Sequence, residues 1–233
     1  MYLYVVVQEK EKYYRDGCDS RVKVRLEEAS GERCLVVPYQ EFDLSVVQEL
    51  RPRAVAMSGF GGHWESRKVE WFWGMDEVLH QADLPIICFC GSHQLLGFSF
   101  NRDLRQTPLL SDEPMGRLSP EDDRPRRGGD YSDYFVAEGF FPIRRTKDDP
   151  LFASLPETML MRCWHYCEVK NLPPDFELLA GSGHCRIEAM RHRTRPLYGT
   201  QFHPEAYDAP FLDGRQVLRN FASIVAEFWA RRG

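Results

Sequence analysis

Pro85-Ile86-Ile87-Cys88-Phe89, followed without a break by Cys90-Gly91-Ser92-His93-Gln94-Leu95, reads as a strand that turns directly into a helix. The first run is apolar at consecutive positions, the pattern of a strand covered on both faces. Leu95 to Phe100 can continue as a helix. A tight turn between them lifts the Cys90 side chain to the top of a sheet and sets a helix N-terminus beneath it. The helix dipole there favours the thiolate, which is the nucleophilic form. Gly91 follows with a backbone N–H that can point at a developing oxyanion. Cys88 and Ser92, two places to either side of Cys90, are small but are not glycine. An isolated cysteine would read as a structural core residue. The turn, the small neighbours and a later His-Pro-Glu unit are what make Cys90 a candidate nucleophile.

Working outward, Leu3–Gln8, Cys34–Pro38 and Ala54–Met57 are further short apolar runs, and Val69–Gln81 has helical periodicity. Ser20–Ala29 carries both an alternating pattern and one helical face. We read it as a helix ended by Gly31, with Lys10–Asp19 as loop. The order strand–helix–strand predicts an α/β fold with a mostly parallel central sheet flanked by helices on both faces. Tyr134–Arg144, Met159–Trp164, Glu177–Ala180, Ile187–Met190 and Leu197–Phe202 read as later strands, the last two as a hairpin. Gln216–Trp229 is a closing amphipathic helix. No linker divides residues 1–233, so one domain is expected. A polar insertion at about 101–133, including Glu121 to Gly129, reads as a solvated loop, with a lid or partner surface as the alternative.

The chain of 233 residues is 43% hydrophobic, enough for a packed core, and its net charge of −5 argues against nucleic-acid partners. No run approaches the roughly 20 apolar residues of a membrane span. Met1–Val7 lacks the basic lead-in of an export signal and reads as the first strand. Seven cysteines, an odd number, point to free thiols in a reducing, cytoplasmic setting. Cys88-x-Cys90, Cys163-x-His165-x-Cys167 and His184-Cys185 offer soft ligands, but single-residue gaps are awkward for one ion. No metal and no cofactor are expected.

Gln201-Phe202-His203-Pro204-Glu205 supplies what Cys90 needs. His203 can take the thiol proton and return it to a leaving group, and Glu205, two positions on, can hold the imidazole in one tautomer. Ser58-Gly59-Phe60-Gly61-Gly62 closes the third strand, and an N–H there can be a second oxyanion donor.

These motifs resemble those of class I glutamine amidotransferases, which hydrolyse glutamine to glutamate and ammonia. Cys88-Phe89-Cys90-Gly91-Ser92-His93-Gln94 is similar to the family's Gly-x-Cys-x-Gly-His-Gln. Gly199-Thr200-Gln201-Phe202-His203-Pro204-Glu205 matches its closing motif, and Ser58-Gly59 the start of its oxyanion loop. The resemblance implies a flavodoxin-like sheet, Cys90 as nucleophile, and His203 and Glu205 as base and orienting acid. It implies Gly59 and Gly91 as backbone oxyanion donors. Gln94 would hold the substrate's amino-acid head, and Tyr166 and Cys167 would contact it through their backbone. Cys88, Ser92 and Phe60 depart from the family's glycines. The implied substrate is glutamine or another γ-glutamyl compound, and with no synthetase domain in view, a separate ammonia-accepting synthetase is the implied partner. A γ-glutamyl hydrolase using the same triad and a catalytically silent binding protein are the rival readings.

Overall fold

The computed structural model describes residues 1–18, 20–119 and 133–233. Among them, nine strands form one mixed sheet in the order β2-β1-β3-β4-β9-β8-β7-β5-β6. The strands are β1 (Tyr2–Val6), β2 (Cys34–Pro38), β3 (Ala54–Met57), β4 (Ile86–Phe89), β5 (Ala137–Arg145), β6 (Thr158–His165), β7 (Phe176–Gly181), β8 (Ala189–His192) and β9 (Leu197–Thr200). From β2 to β9 every pairing is parallel, as the early strand–helix alternation predicts. Beyond β9 every pairing is antiparallel, and β8–β9 is the expected hairpin.

The helices are α1 (Lys10–Asp16), α2 (Ser20–Ser30), α3 (Leu44–Leu50), α4 (Trp73–Gln81), α5 (Gly91–Asn101) and α6 (Asp213–Ala230). Alternate residues of the parallel strands feed two cores. Leu3, Val5, Val55, Met57, Ile86 and Cys88 face α3, α4 and α5. Tyr4, Val6, Ala56, Ile87 and Phe89 face Leu26 of α2 and Val217, Leu218, Phe221 and Val225 of α6. That two-sided burial is why β4 has no polar position.

Ser20–Ser30 is helical, as its single apolar face predicts. Lys10–Asp16, expected as loop, is a helix instead; it buries no residue and so has no amphipathic pattern to read. The insertion is more ordered at its start than a solvated loop would be. Leu104 and Leu110 are buried, and Pro114 and Arg117 bridge to Cys167 and Tyr134. Its stretch Glu121 to Gly129 lies outside the described residues. Among the described residues no disulfide joins the cysteines, and no helix is long and apolar enough to cross a membrane.

Candidate active site

Cys90 stands between β4 and α5 with φ 47° and ψ −106°. A side-chain-bearing residue in such a conformation stores about 1–3 kcal/mol of strain. The surroundings hold it there. Its N–H donates to the Thr200 carbonyl at 2.7 Å, and its own carbonyl accepts from Gln94 N at 3.0 Å. The two departures from glycine at the turn are accommodated. Cys88 is sealed in the core against Met57. Ser92 is also buried and donates its hydroxyl to the Ser58 carbonyl at 2.6 Å, fastening the helix to the loop after β3.

The chain leaving β9 brings His203 over Cys90. His203 N–H donates to the Arg162 carbonyl at 2.7 Å, and α6 packs under the following turn so closely that a Cβ on Gly214 would lie 2.5 Å from the Pro204 carbonyl oxygen. Glu205 Oε1 is 2.7 Å from His203 Nδ1, which leaves Nε2 for Cys90. Burial works against charge on this imidazole, but the Glu205 carboxylate and the adjoining Cys90 sulfur outweigh it and raise the pKa well above the usual value. An imidazole that favours its charged form beside a sulfur is placed to act as the acid and base of a cysteine nucleophile.

The glycines expected as oxyanion donors flank the sulfur. A Cβ on Gly59 would lie 2.9 Å from Cys90 Cβ and 3.2 Å from His203 Cε1, so no side chain fits there. Gly91 is the first residue of α5, where backbone N–H groups have no helical acceptor. The Phe60 ring rests on it, 2.6 Å from where a Cβ would be, and meets Trp64 edge-on at 4.6 Å.

A cavity of about 280 Å³ opens onto Cys90, walled by Phe60, Gln94, Asp112, Trp164, Tyr166 and Cys167. Gln94 donates both amide hydrogens to protein, to the Cys167 carbonyl and to Gln201 Oε1 at 3.2 Å each, and its Oε1 accepts from Trp64 Nε1 at 2.8 Å. One lone pair on Oε1 is left to meet an ammonium. The Tyr166 and Cys167 carbonyls accept from Met115 N and from Gln94 and His165.

Three groups at this site, Gln201, Asp112 and His63, were not singled out from sequence. Gln201 Nε2 lies 3.6 Å from Cys90 Sγ, a donor toward the sulfur. Asp112 projects from the insertion into the cavity, accepts from Trp64 N at 2.8 Å and from the Tyr166 hydroxyl, and lies 2.5 Å from His63 Nδ1. Burial, then Asp112, pushes the Tyr166 phenol far above its usual range, so it stays a donor. Gln201 was readable as part of the closing motif. Asp112 had no local signal, since it reaches the site only through long-range packing.

Three comparisons bear on this arrangement. The family model for glutamine amidotransferase class-I matches residues 19–224. A glutamine-hydrolyzing GMP synthase subunit of Archaeoglobus fulgidus is 34% identical over 146 residues, 63% of this chain and 64% of that protein. The protein of the same name from Pyrococcus furiosus is 31% identical over 186 residues, 79% of this chain and 81% of that one. The match thus spans just under two thirds of the Archaeoglobus protein. A crystal structure of a Thermoplasma acidophilum protein, described as a GMP synthase subunit, superposes with a TM-score of 0.72 at 23% identity. It covers 100% of this chain and 98% of that one, which speaks to the fold.

Proposed function

Because the chain belongs to the class I glutamine amidotransferase family, we propose that it hydrolyses the side-chain amide of glutamine through a thioester on Cys90. The Cys90 thiolate attacks the amide carbon, and the oxyanion that forms is met by backbone N–H groups at Gly59 and Gly91. Collapse breaks the C–N bond, and His203 Nε2–H protonates the departing ammonia. The same nitrogen, now neutral, takes a proton from water as that water attacks the thioester. Glutamate leaves and the thiolate is restored. Glu205 keeps the proton on Nδ1 and balances the imidazolium throughout.

The observation that carries this reading is the placement of His203, its Nδ1 2.7 Å from the Glu205 carboxylate and its other face on the Cys90 sulfur. The cavity, at about 280 Å³, lies below the roughly 300–1,000 Å³ of drug-sized pockets, which suits a free amino acid better than a γ-glutamyl peptide. The Asp112 carboxylate and the free lone pair of Gln94 suit an α-ammonium group. The names of the relatives favour an ammonia acceptor on a separate synthetase chain. The test is ammonia and glutamate release from free glutamine by wild type and Cys90→Ala. Release that Cys90→Ala abolishes is expected. Cleavage of γ-glutamyl conjugates alone points to a γ-glutamyl hydrolase, and no turnover of either with an intact Cys90 sinks the proposal.

A further inference from the structure

Strand β6, whose last residues wall the cavity, also carries a second set of side chains. Cys163 and His165 are two residues apart and so share the buried face of β6. The β5–β6 ribbon pairs with β7 only at Arg144 and Arg145, and this face meets Glu188, the residue just before β8. One donor atom from each of Cys163, His165 and Glu188 lies within 4.8 Å of the others.

Two of the atoms in this group have no hydrogen-bond partner: His165 Nε2 and Glu188 Oε2. Their residues are 5% and 0% exposed. A buried polar atom left unpaired costs about 1–3 kcal/mol, so both mark a place where something polar belongs. The proton on His165 is fixed from behind. Its Nδ1 is 3.1 Å from the Cys167 carbonyl, which can only accept. The hydrogen is therefore on Nδ1, and Nε2 presents a lone pair to the cluster. Metal-ligating histidines are oriented in the same way, by a far N–H given to a backbone carbonyl. Glu188 Oε1 is steadied by the Ser182 hydroxyl at 2.8 Å, and His184 Nε2 stands 3.6 Å from it.

We propose that Cys163, His165 and Glu188 form a zinc site, with His184 as the fourth ligand on its outer side. Sulfur, imidazole and carboxylate are the ligand types zinc accepts, and four of them make a closed, structural site. A thiolate and a carboxylate balance the ion's charge, which makes its burial tolerable. The Cys163 thiol proton, and the proton that a protonated Glu188 carries, are released to solvent as the S–Zn and O–Zn bonds form. Ligand atoms around one tetrahedral zinc stand roughly 3.3–3.6 Å apart, given bonds of about 2.0–2.3 Å. The Cys163, His165 and Glu188 donor atoms, within 4.8 Å of one another, therefore need to close by at most about 1.5 Å. His184 lines a cleft with Gly181, Ser182 and Arg186, whereas His165 lines the Cys90 cavity, so the cluster stands between the two openings.

The experiment uses the full chain carrying Cys90→Ser, which removes the thiol beside His203 and Glu205 and makes the result independent of glutamine hydrolysis. After stripping with a chelator, one equivalent of Co²⁺ should produce a thiolate-to-cobalt charge-transfer band with tetrahedral d–d absorption. Zn²⁺ should displace the cobalt with a Kd tighter than about 1 µM and raise the Tm. In that background, Cys163→Ser should abolish the charge-transfer band, and Glu188→Gln and His184→Asn should each weaken zinc binding about 10-fold or more. Absence of the band, or a band that survives Cys163→Ser, overturns the proposal. Should Cys163→Ser not fold, the cobalt spectrum of the Cys90→Ser chain and the zinc affinity of His184→Asn, at a partly exposed position, still decide it. Zinc affinity unchanged in His184→Asn removes that residue and the site as drawn.

Discussion

The molecule holds two Cys–His–Glu trios, one opening onto the cavity through Cys90 and one reaching it through His165. In the first, Cys90–His203–Glu205, the imidazole gives its Nδ1–H to a carboxylate, and its pKa is raised well above the usual value. In the second, Cys163–His165–Glu188, the Nδ1–H goes to a neutral carbonyl. Burial then pushes His165 down to about 3 and Glu188 up to about 8. The two imidazoles thus sit in opposite charge states. What separates them is the partner behind the imidazole together with the backbone that aims the sulfur. Cys90 is held at positive φ beside two glycines, whereas Cys163 is an ordinary strand residue.

The largest effect should come from the sulfur. Cys90→Ala should lower glutamine hydrolysis by roughly 10⁴-fold or more, read as ammonia release, while Cys163 remains in place as an internal control thiol. Next is the partner behind the imidazole. Glu205→Gln keeps a hydrogen bond at His203 Nδ1 but not the charge, making the first trio resemble the second. A fall in kcat of about 10²–10⁴ is expected, with the His203 pKa moving down when followed by NMR.

Opposite charge states also predict opposite pH signs. His93 donates to the Ile187 carbonyl at 3.0 Å, next to Glu188, and burial lowers its pKa from 6.5 to about 4. Between those values the unfolded chain binds the proton and the folded chain does not. Its stabilising share is therefore present above pH 6.5 and lost as pH falls toward 4, by roughly 3 kcal/mol. The His203 share has the reverse sign: it is present below the ordinary histidine pKa and lost as pH rises through the raised one. Denaturant midpoints from pH 4 to pH 9, for wild type and His93→Gln, would show a flattened acid limb only in the variant.

Gly59→Ala should cost about 100-fold in kcat, since the methyl displaces the sulfur and the ring. An unchanged rate would remove Gly59 from the site. Smallest is Ser92→Ala, which deletes the bond to the Ser58 carbonyl and should cost about 1 kcal/mol in chemical denaturation, with kcat affected less than by Gly59→Ala.

The parallel half of the sheet was legible because each strand–turn–helix is a local unit with its own periodicity. Cys90, His203 and Glu205 were legible because a turn and an i, i+2 spacing are local too. The antiparallel half showed its strands but not their order, since β5 pairs with β6 and touches β7 at two positions only. Helix α1 was missed for want of a buried face. Asp112 and Glu188 reach their partners across 54 and 23–25 positions of chain (Tyr166 to Asp112; Cys163 and His165 to Glu188), a distance no periodicity spans. Cys163 and His165 were visible as soft ligands, but the carboxylate beside them, Glu188, comes from the residue just before β8, which their spacing could not show.

The Phe60 ring lying on Gly91 has a consequence for inheritance. Neither position can drift alone: a side chain at 91 is barred while the ring is present, and a smaller residue at 60 opens a gap beside Trp64. A chain with glycine at 60 must refill that space, and one with a side chain at 91 must lack the aromatic at 60. The order in which the two changes can occur is written into one van der Waals contact.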